Sequence, residues 1–314
     1  MLTFGRNYKH VSFAIALAVM FSPFVVVGQI TPTPKEIAEI RFAAEKGDPK
    51  MARVLGTLYG TGNGVPLDET EAVKWWKQAA QHGGDPMAEC ELAGAYLYGA
   101  GTEKDTREGL KWLRKSADAG FKRAQWTMGT YYANGTWLPK DQTQAIEWWR
   151  KAASQGFAKA QADLGIAYAN GTGVKKDDAT ALELLKESSE RGIAKAQSKL
   201  GTMFWEGRSV RKDTLEAVSW WQRAADQGDL DAEYRIGHAY ATGEGVTKDP
   251  VLAYVWFNLS ALLVPSSKYE LETLEATMTH DELSHAQSIA ERKKIESDAR
   301  MEKILATPRA ILLP

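Results

Sequence analysis

A chain of 314 residues, 44% hydrophobic and 25% charged, has ample apolar material for a globular core. Thirty-nine basic residues against forty acidic ones leave a formal net charge of −1. That balance gives no electrostatic footprint for nucleic acid or an anionic membrane. The single cysteine, Cys90, excludes an internal disulfide. It reads either as a small buried hydrophobe or as an exposed thiol that could pair with a partner.

Residues 1–28 read as a secretory signal peptide. Arg6 and Lys9 stand without an acid, and "VSFAIALAVMFSPFVVV" follows, mostly apolar but broken by Ser22 and Pro23. Val26 and Gly28 occupy the −3 and −1 positions of a small-residue cleavage site. The run is shorter than the roughly 20 residues of a membrane span, and no cysteine lies near the site to carry a lipid. The expected destination is periplasmic or secreted. The alternative is an uncleaved anchor, which would make this segment the chain's one link to a membrane. Residues 29–34 read as an extended linker.

From residue 35 to 262 the chain is an array. Trp75-Trp76 recurs as Trp112-Leu113, Trp148-Trp149, Leu184-Leu185, Trp220-Trp221 and Trp256-Phe257, at steps of 37, 36, 36, 36 and 36. Leu55, Leu92, Met128, Leu164, Leu200 and Ile236 keep the same step, each followed four residues on by Tyr or Phe. Asp68, Asp105, Asp141, Asp177, Asp213 and Asp249 recur with them. Six copies of this length predict a solenoid of two-helix units. "EIAEIRFAAEKG" opens the array as a second helix without its partner.

Each copy parses physically. The first helix carries the Leu…Tyr stripe and stops at glycines that accept the left-handed backbone. The recurring Asp caps the second helix, and Asp68 with Glu71, Asp105 with Glu108, and Asp213 with Glu216 have capping-box spacing. Pro250 suits a first helical position. The second helix ends at Gly83, Gly120, Gly156, Gly192 and Gly228. The paired aromatics flank one apolar stripe, which predicts that one ring packs on its own repeat and the other on a neighbour. Residues 263–306 leave the pattern and read as two capping helices, the second opened by a Thr279–Glu282 capping box, with a tail at 307–314.

Chemistry-bearing motifs do not survive their context. The glycine-rich turns lack the preceding strand of a phosphate loop. "HDEL" at His280–Leu283 is internal, so it is helix surface, and His280 and His285 miss the helical spacing for joint metal binding. Ser209-x-x-Lys212 lacks companion motifs, with Ser209 standing where other copies have the turn's second glycine. The sequons at Asn134, Asn170 and Asn258 fall in turns or mid-helix. No acid, base and nucleophile converge, so no enzyme, cofactor or metal is expected.

The unit Leu-Gly-x-x-Tyr…Gly-x-Gly-Val-x-x-Asp…Ala-x-x-Trp…Ala-Ala-x-x-x-Gly is carried plainly by "LGTLYGTGNGVPLDETEAVKWWKQAAQHG" and "LGIAYANGTGVKKDDATALELLKESSERG". It resembles the Sel-1-like repeat family, relatives of the tetratricopeptide repeat. The resemblance implies an all-α fold, a right-handed α/α solenoid, acting as an adaptor in protein complexes and often exported. Some secreted members staple each repeat with a disulfide, which this chain cannot do.

In tetratricopeptide-like stacks the first helices line the concave surface. At about 100° per residue, positions two before, two after and five after the recurring Leu fall opposite its buried stripe. That face holds small, apolar and aromatic residues, with Arg53 its one sure charge. One reading is a groove with Trp126, Thr130, Tyr131, Trp205, Tyr234 and His238 as partner-binding candidates, Trp126, Trp205 and Tyr234 being its anchors and Met203 a flanking residue. The other is that part of the face packs on a neighbouring helix, where small residues permit close approach. The groove reading makes the chain a non-catalytic adaptor for a protein or peptide. An envelope carbohydrate or peptidoglycan binder is the alternative, and an envelope hydrolase is a more distant one.

Overall fold

The computed structural model describes residues 31–261 and 264–306, so the leader and the tail lie outside the described residues. Fifteen α-helices and no strands are found among the described residues. The half repeat is α1 (Pro34–Glu45). Repeats one to three are α2 (Pro49–Thr61) with α3 (Glu69–Gly83), α4 (Pro86–Tyr98) with α5 (Thr106–Asp118), and α6 (Lys122–Asn134) with α7 (Gln142–Ser154). Repeats four to six are α8 (Ala158–Asn170) with α9 (Asp178–Glu190), α10 (Ala194–Glu206) with α11 (Thr214–Ala225), and α12 (Leu230–Thr242) with α13 (Pro250–Ser260). Two helices follow, α14 (Pro265–Glu275) and α15 (His280–Ala306). The fold is an all-α repeat solenoid. It forms two compact units that divide within α6, one reaching Tyr131 and the other running from Tyr132 to Ala306.

The helix ends follow from the recurring residues. Asp68, Asp105, Asp141, Asp177, Asp213 and Asp249 each accept from a backbone N–H in the first turn of the helix that follows. Asp48 and Asp85 do the same for α2 and α4, ahead of proline. First helices end on left-handed glycines such as Gly62 (φ 68°) and Gly171 (φ 73°). The predicted capping boxes are redirected. Glu71 and Glu216 accept from the indole N–H of Trp75 (3.1 Å) and Trp220 (2.9 Å), four residues on. A carboxylate holding an indole in this way sets the first ring of these two pairs, while Glu108 accepts from the Lys111 ammonium at 3.2 Å. Reciprocal boxes do form at Thr33–Glu36 and at Thr279–Glu282.

The paired aromatics divide their work. In repeats one, four, five and six the second of the pair lies on the glycine that follows the recurring Leu or Ile of its own first helix. An added methyl would sit 2.6 Å from Trp76 Cδ1 at Gly56, 2.6 Å from Trp221 Cδ1 at Gly201, and 2.7 Å from Phe257 Cδ1 at Gly237. Trp221 also donates its indole N–H to the Ser198 carbonyl at 3.1 Å. The first ring packs backwards. Trp256 joins the cluster of Trp221, Ala224 and Ile236, and Trp220 lies against the cluster of Leu185, Leu200 and Met203. Buried glutamines tie consecutive repeats within each unit. Gln125 Nε2 donates to the Ala117 carbonyl (3.1 Å) and Gln197 Nε2 to the Ser189 carbonyl (3.0 Å), satisfying last-turn acceptors of the preceding helix.

Cys90 is fully buried. Burial pushes its thiol up to about 11 and Glu91 adds to this, while the Arg123 guanidinium opposes them. Native protein should therefore resist thiol alkylation at mildly alkaline pH and label rapidly once unfolded in guanidinium chloride. Labelling of the native chain at the rate of a free cysteine would place the thiol at the surface.

The glycine contact gives a second test. Gly56→Ala gains about 1 kcal/mol of helix propensity but drives a methyl into Trp76 and to 3.1 Å from the Ala72 carbonyl. Overpacking of this kind typically costs about 1–3 kcal/mol. The urea midpoint of Gly56→Ala should fall, and an unchanged or higher midpoint would show that the helices do not meet there.

Candidate functional site

Most of the first-helix face expected to open on a groove is enclosed. Three neighbours press on α8: its own second helix α9, the preceding second helix α7 and the adjacent first helix α10. Gly60 lies against the six-membered ring of Trp76, and Leu97 against Gly109. Arg53 is buried and paired with Asp85 at 3.0 Å. Cys90, Ala162, Ser198 and Thr202 are buried too. Over this part of the face the neighbouring-helix reading holds.

The candidate residues fall into two groups. Trp126, Thr130 and Tyr131 belong to the first unit. Trp126 is 6% exposed and Tyr131 2%, so neither presents a ring face to solvent, and burial raises the Tyr131 phenol well above its usual range. Thr130 is half-buried and donates to the Trp126 carbonyl at 3.1 Å. Trp205, Tyr234 and His238 belong to the second unit and come together. With Trp221 and Arg235 they line a surface pocket of about 220 Å³.

The repeat explains why a pocket opens here. The position of Trp205 is held elsewhere by Gly60, Ala133, Ala169 and Ala241, small enough to sit beside the second-helix side chain, and by Leu97, for which Gly109 on the second helix makes room. A tryptophan cannot fit there, so it leans outward, half-buried, with its centroid 5.0 Å from that of Trp221 at 41°. Tyr234 stands where Cys90, Ala162 and Ser198 are buried. Its helix, α12, is the last of the first helices, and α14 and α15 pack on α13. Tyr234 is therefore left half-buried, its ring 5.7 Å from Phe257 at 46°. His238, one turn on, is exposed.

The rings sit among cations. The Arg235 guanidinium lies 5.8 Å from the centroid of Trp221, and the Lys212 ammonium 5.9 Å from that of Trp205. Arg235 pairs with Asp231 at 2.8 Å, and Lys212 with Glu244 at 2.8 Å. Trp221 and Arg235 were not among the candidates from sequence. The first looks like mortar because it keeps the repeat, and the second lies one residue off the face considered.

A larger hollow of about 430 Å³ lies in the first unit, lined by Gly47, Lys74, Lys77, Gln78, Gln81 and His82. Its lysines are engaged, Lys74 with Glu71 at 3.0 Å and Lys77 over the Tyr96 ring at 5.3 Å. No Trp, Tyr or Phe ring lines it, so it lacks a large apolar anchor. Among the described residues no group of three or more His, Cys, Asp or Glu side chains could hold a metal ion. No helix among them is long and apolar enough to cross a membrane.

The Sel1 repeat model matches residues 49–84, 86–121, 122–157, 158–193, 194–229 and 230–263. Among solved structures, the chain is similar to a Sel1 repeat protein from Oxalobacter formigenes. The identity is 32% and the TM-score 0.63, over 73% of this chain and 99% of that one. It is also similar to a protective antigen present in uropathogenic Escherichia coli strains that displays an SLR fold. There the identity is 26% and the TM-score 0.60, over 85% of this chain and 66% of that one. A comparison with curated proteins finds no match. Six consecutive matches over the helix pairs described above settle the family: the chain belongs to the Sel1 repeat proteins.

Proposed function

We propose that this Sel1 repeat scaffold is an exported, non-catalytic adaptor that holds a protein or peptide partner at the Trp205–Tyr234 pocket. The observation that carries the reading is the convergence of Trp205, Tyr234 and His238 with Trp221 in one surface pocket. Trp205 and Tyr234 are the half-exposed aromatics of that pocket, and each depends on breaking the repeat pattern. Half-exposed aromatics backed by a rigid core are the usual carriers of binding energy at an interface. Export rests on residues 1–28, with their basic start, apolar run and small-residue cleavage site. The peptide reading is favoured over a carbohydrate one by the cations beside Trp221 and Trp205, to which a peptide can offer carboxylates and a neutral sugar cannot.

A photoreactive amino acid at the exposed position of His238, introduced in the native cell, tests this. It should crosslink a discrete partner, and Trp205→Ala with Tyr234→Ala should abolish the product without lowering helicity. Crosslinks that persist in the double variant would place the partner elsewhere on the scaffold.

A further inference from the structure

The chemistry of the pocket walls narrows what can fill it, granted that the pocket is the partner site. Its volume of about 220 Å³ falls below the roughly 300–1,000 Å³ of small-molecule sites. It is the size of a single large side chain. Three of its lining residues are aromatic, Arg235 and His238 are the polar ones, and no carboxylate lines it. Asp231, the partner of Arg235, is 59% exposed and lies outside the lining.

A second cation stands one repeat back in the same register. Lys199 and Arg235 each precede the recurring Leu or Ile of their helix by one residue, at a separation of 36. Lys199 donates to the amide oxygen of Asn170 at 2.8 Å. Among the described residues it has no carboxylate within ion-pairing distance, whereas Arg208, Lys212 and Arg235 each have one. It is half-buried. Burial first, then the nearby charges of Arg208 and Arg235, depress its ammonium, while Glu206 and Asp231 oppose them in part. Like charges grouped this closely raise the cost of one another unless an anion joins them.

We propose that the pocket accepts an aromatic side chain from an acidic peptide segment, whose carboxylates meet Arg235 and Lys199. The ring enters between Trp205 and Tyr234 over Trp221. A flanking carboxylate takes a charge-assisted hydrogen bond from the Arg235 guanidinium, and a second neutralises Lys199.

Calorimetric titration with blocked hexapeptides tests the proposal. One peptide carries a phenylalanine flanked by Glu and Asp, a second has Gln and Asn at those places, and a third has Ala for the Phe. The acidic Phe peptide should bind about tenfold more tightly than either analogue, with an affinity that falls as salt rises. Arg235→Gln with Lys199→Gln should remove the preference for acid while leaving the melting temperature in place, and Arg235→Lys should retain part of it. Equal binding of the acidic and amide peptides, or a preference that survives the double substitution, would overturn the acidic assignment and leave the adaptor reading intact. The acidic assignment also falls, with the adaptor reading again intact, if neither Phe peptide binds while the crosslinked partner is still captured. Binding of an N-acetylglucosamine oligomer in place of the peptides would overturn both readings. A dimer that the acidic peptide cannot displace would put a second copy of the chain in the pocket and overturn the assignment.

Discussion

Repeats one, four, five and six depend on one close approach: a glycine on the first helix against a large apolar side chain on the second. Repeat two reverses the roles, with Gly109 of its second helix against Leu97 of its first. At Gly56 and Trp76, Gly201 and Trp221, and Gly237 and Phe257 there is no room for even a methyl group. In the fourth repeat Gly165 meets Leu185, with an added methyl 2.9 Å from Cγ. In these four repeats the second-helix partner can thus change from indole to isobutyl or benzyl while the first helix contributes nothing beyond backbone. This contact fixes the distance within a pair. The first aromatic of the next pair then fills the seam between repeats, as Trp256 does against Trp221 and Ile236. Stacking continues because each unit presents an apolar face that only a neighbour can cover.

The helix pairs were legible because their causes are local and repeated. Asp caps, left-handed glycines and a fixed step declare helix ends without reference to the fold. The division of labour between Trp220 and Trp221 was also readable, since adjacent helical residues point to different neighbours. The candidate face was harder. A helical wheel placed Arg53, Cys90 and Trp126 opposite the Leu stripe, but it carries no information on how many neighbours surround the helix. Neighbouring helices close most of that circle, three of them around α8, and small residues at Gly60, Ala162 and Ser198 mark their approach. Arg235 was invisible for another reason: a charged residue beside the face looks like solvated surface until its guanidinium is seen over Trp221.

The pocket follows from the same constraint that builds the repeats. Trp205 occupies a place held in four other repeats by alanine or glycine, and it is turned outward because the Trp221 ring already fills the interior. Tyr234 occupies a place that an adjacent first helix would cover, on the last helix of that kind. Each leans on the second aromatic of its own repeat, Trp205 on Trp221 and Tyr234 on Phe257. Core and site therefore share atoms. The ring of Trp221 closes the repeat with its edge toward Gly201 and forms the floor of the pocket as well. A site built on such a floor is pre-organised, because its anchors rest on side chains that the fold already immobilises.

That distinction between floor and anchor is open to a direct measurement, parallel denaturant unfolding of Trp205→Ala and Trp221→Ala. Loss of Trp205 removes a ring contact and some partly buried surface and should cost about 1 kcal/mol. Loss of the buried Trp221 should cost about 3–5 kcal/mol. Equal losses in the two variants would make Trp205 a core residue and contradict the division between repeat-keeping mortar and pattern-breaking site.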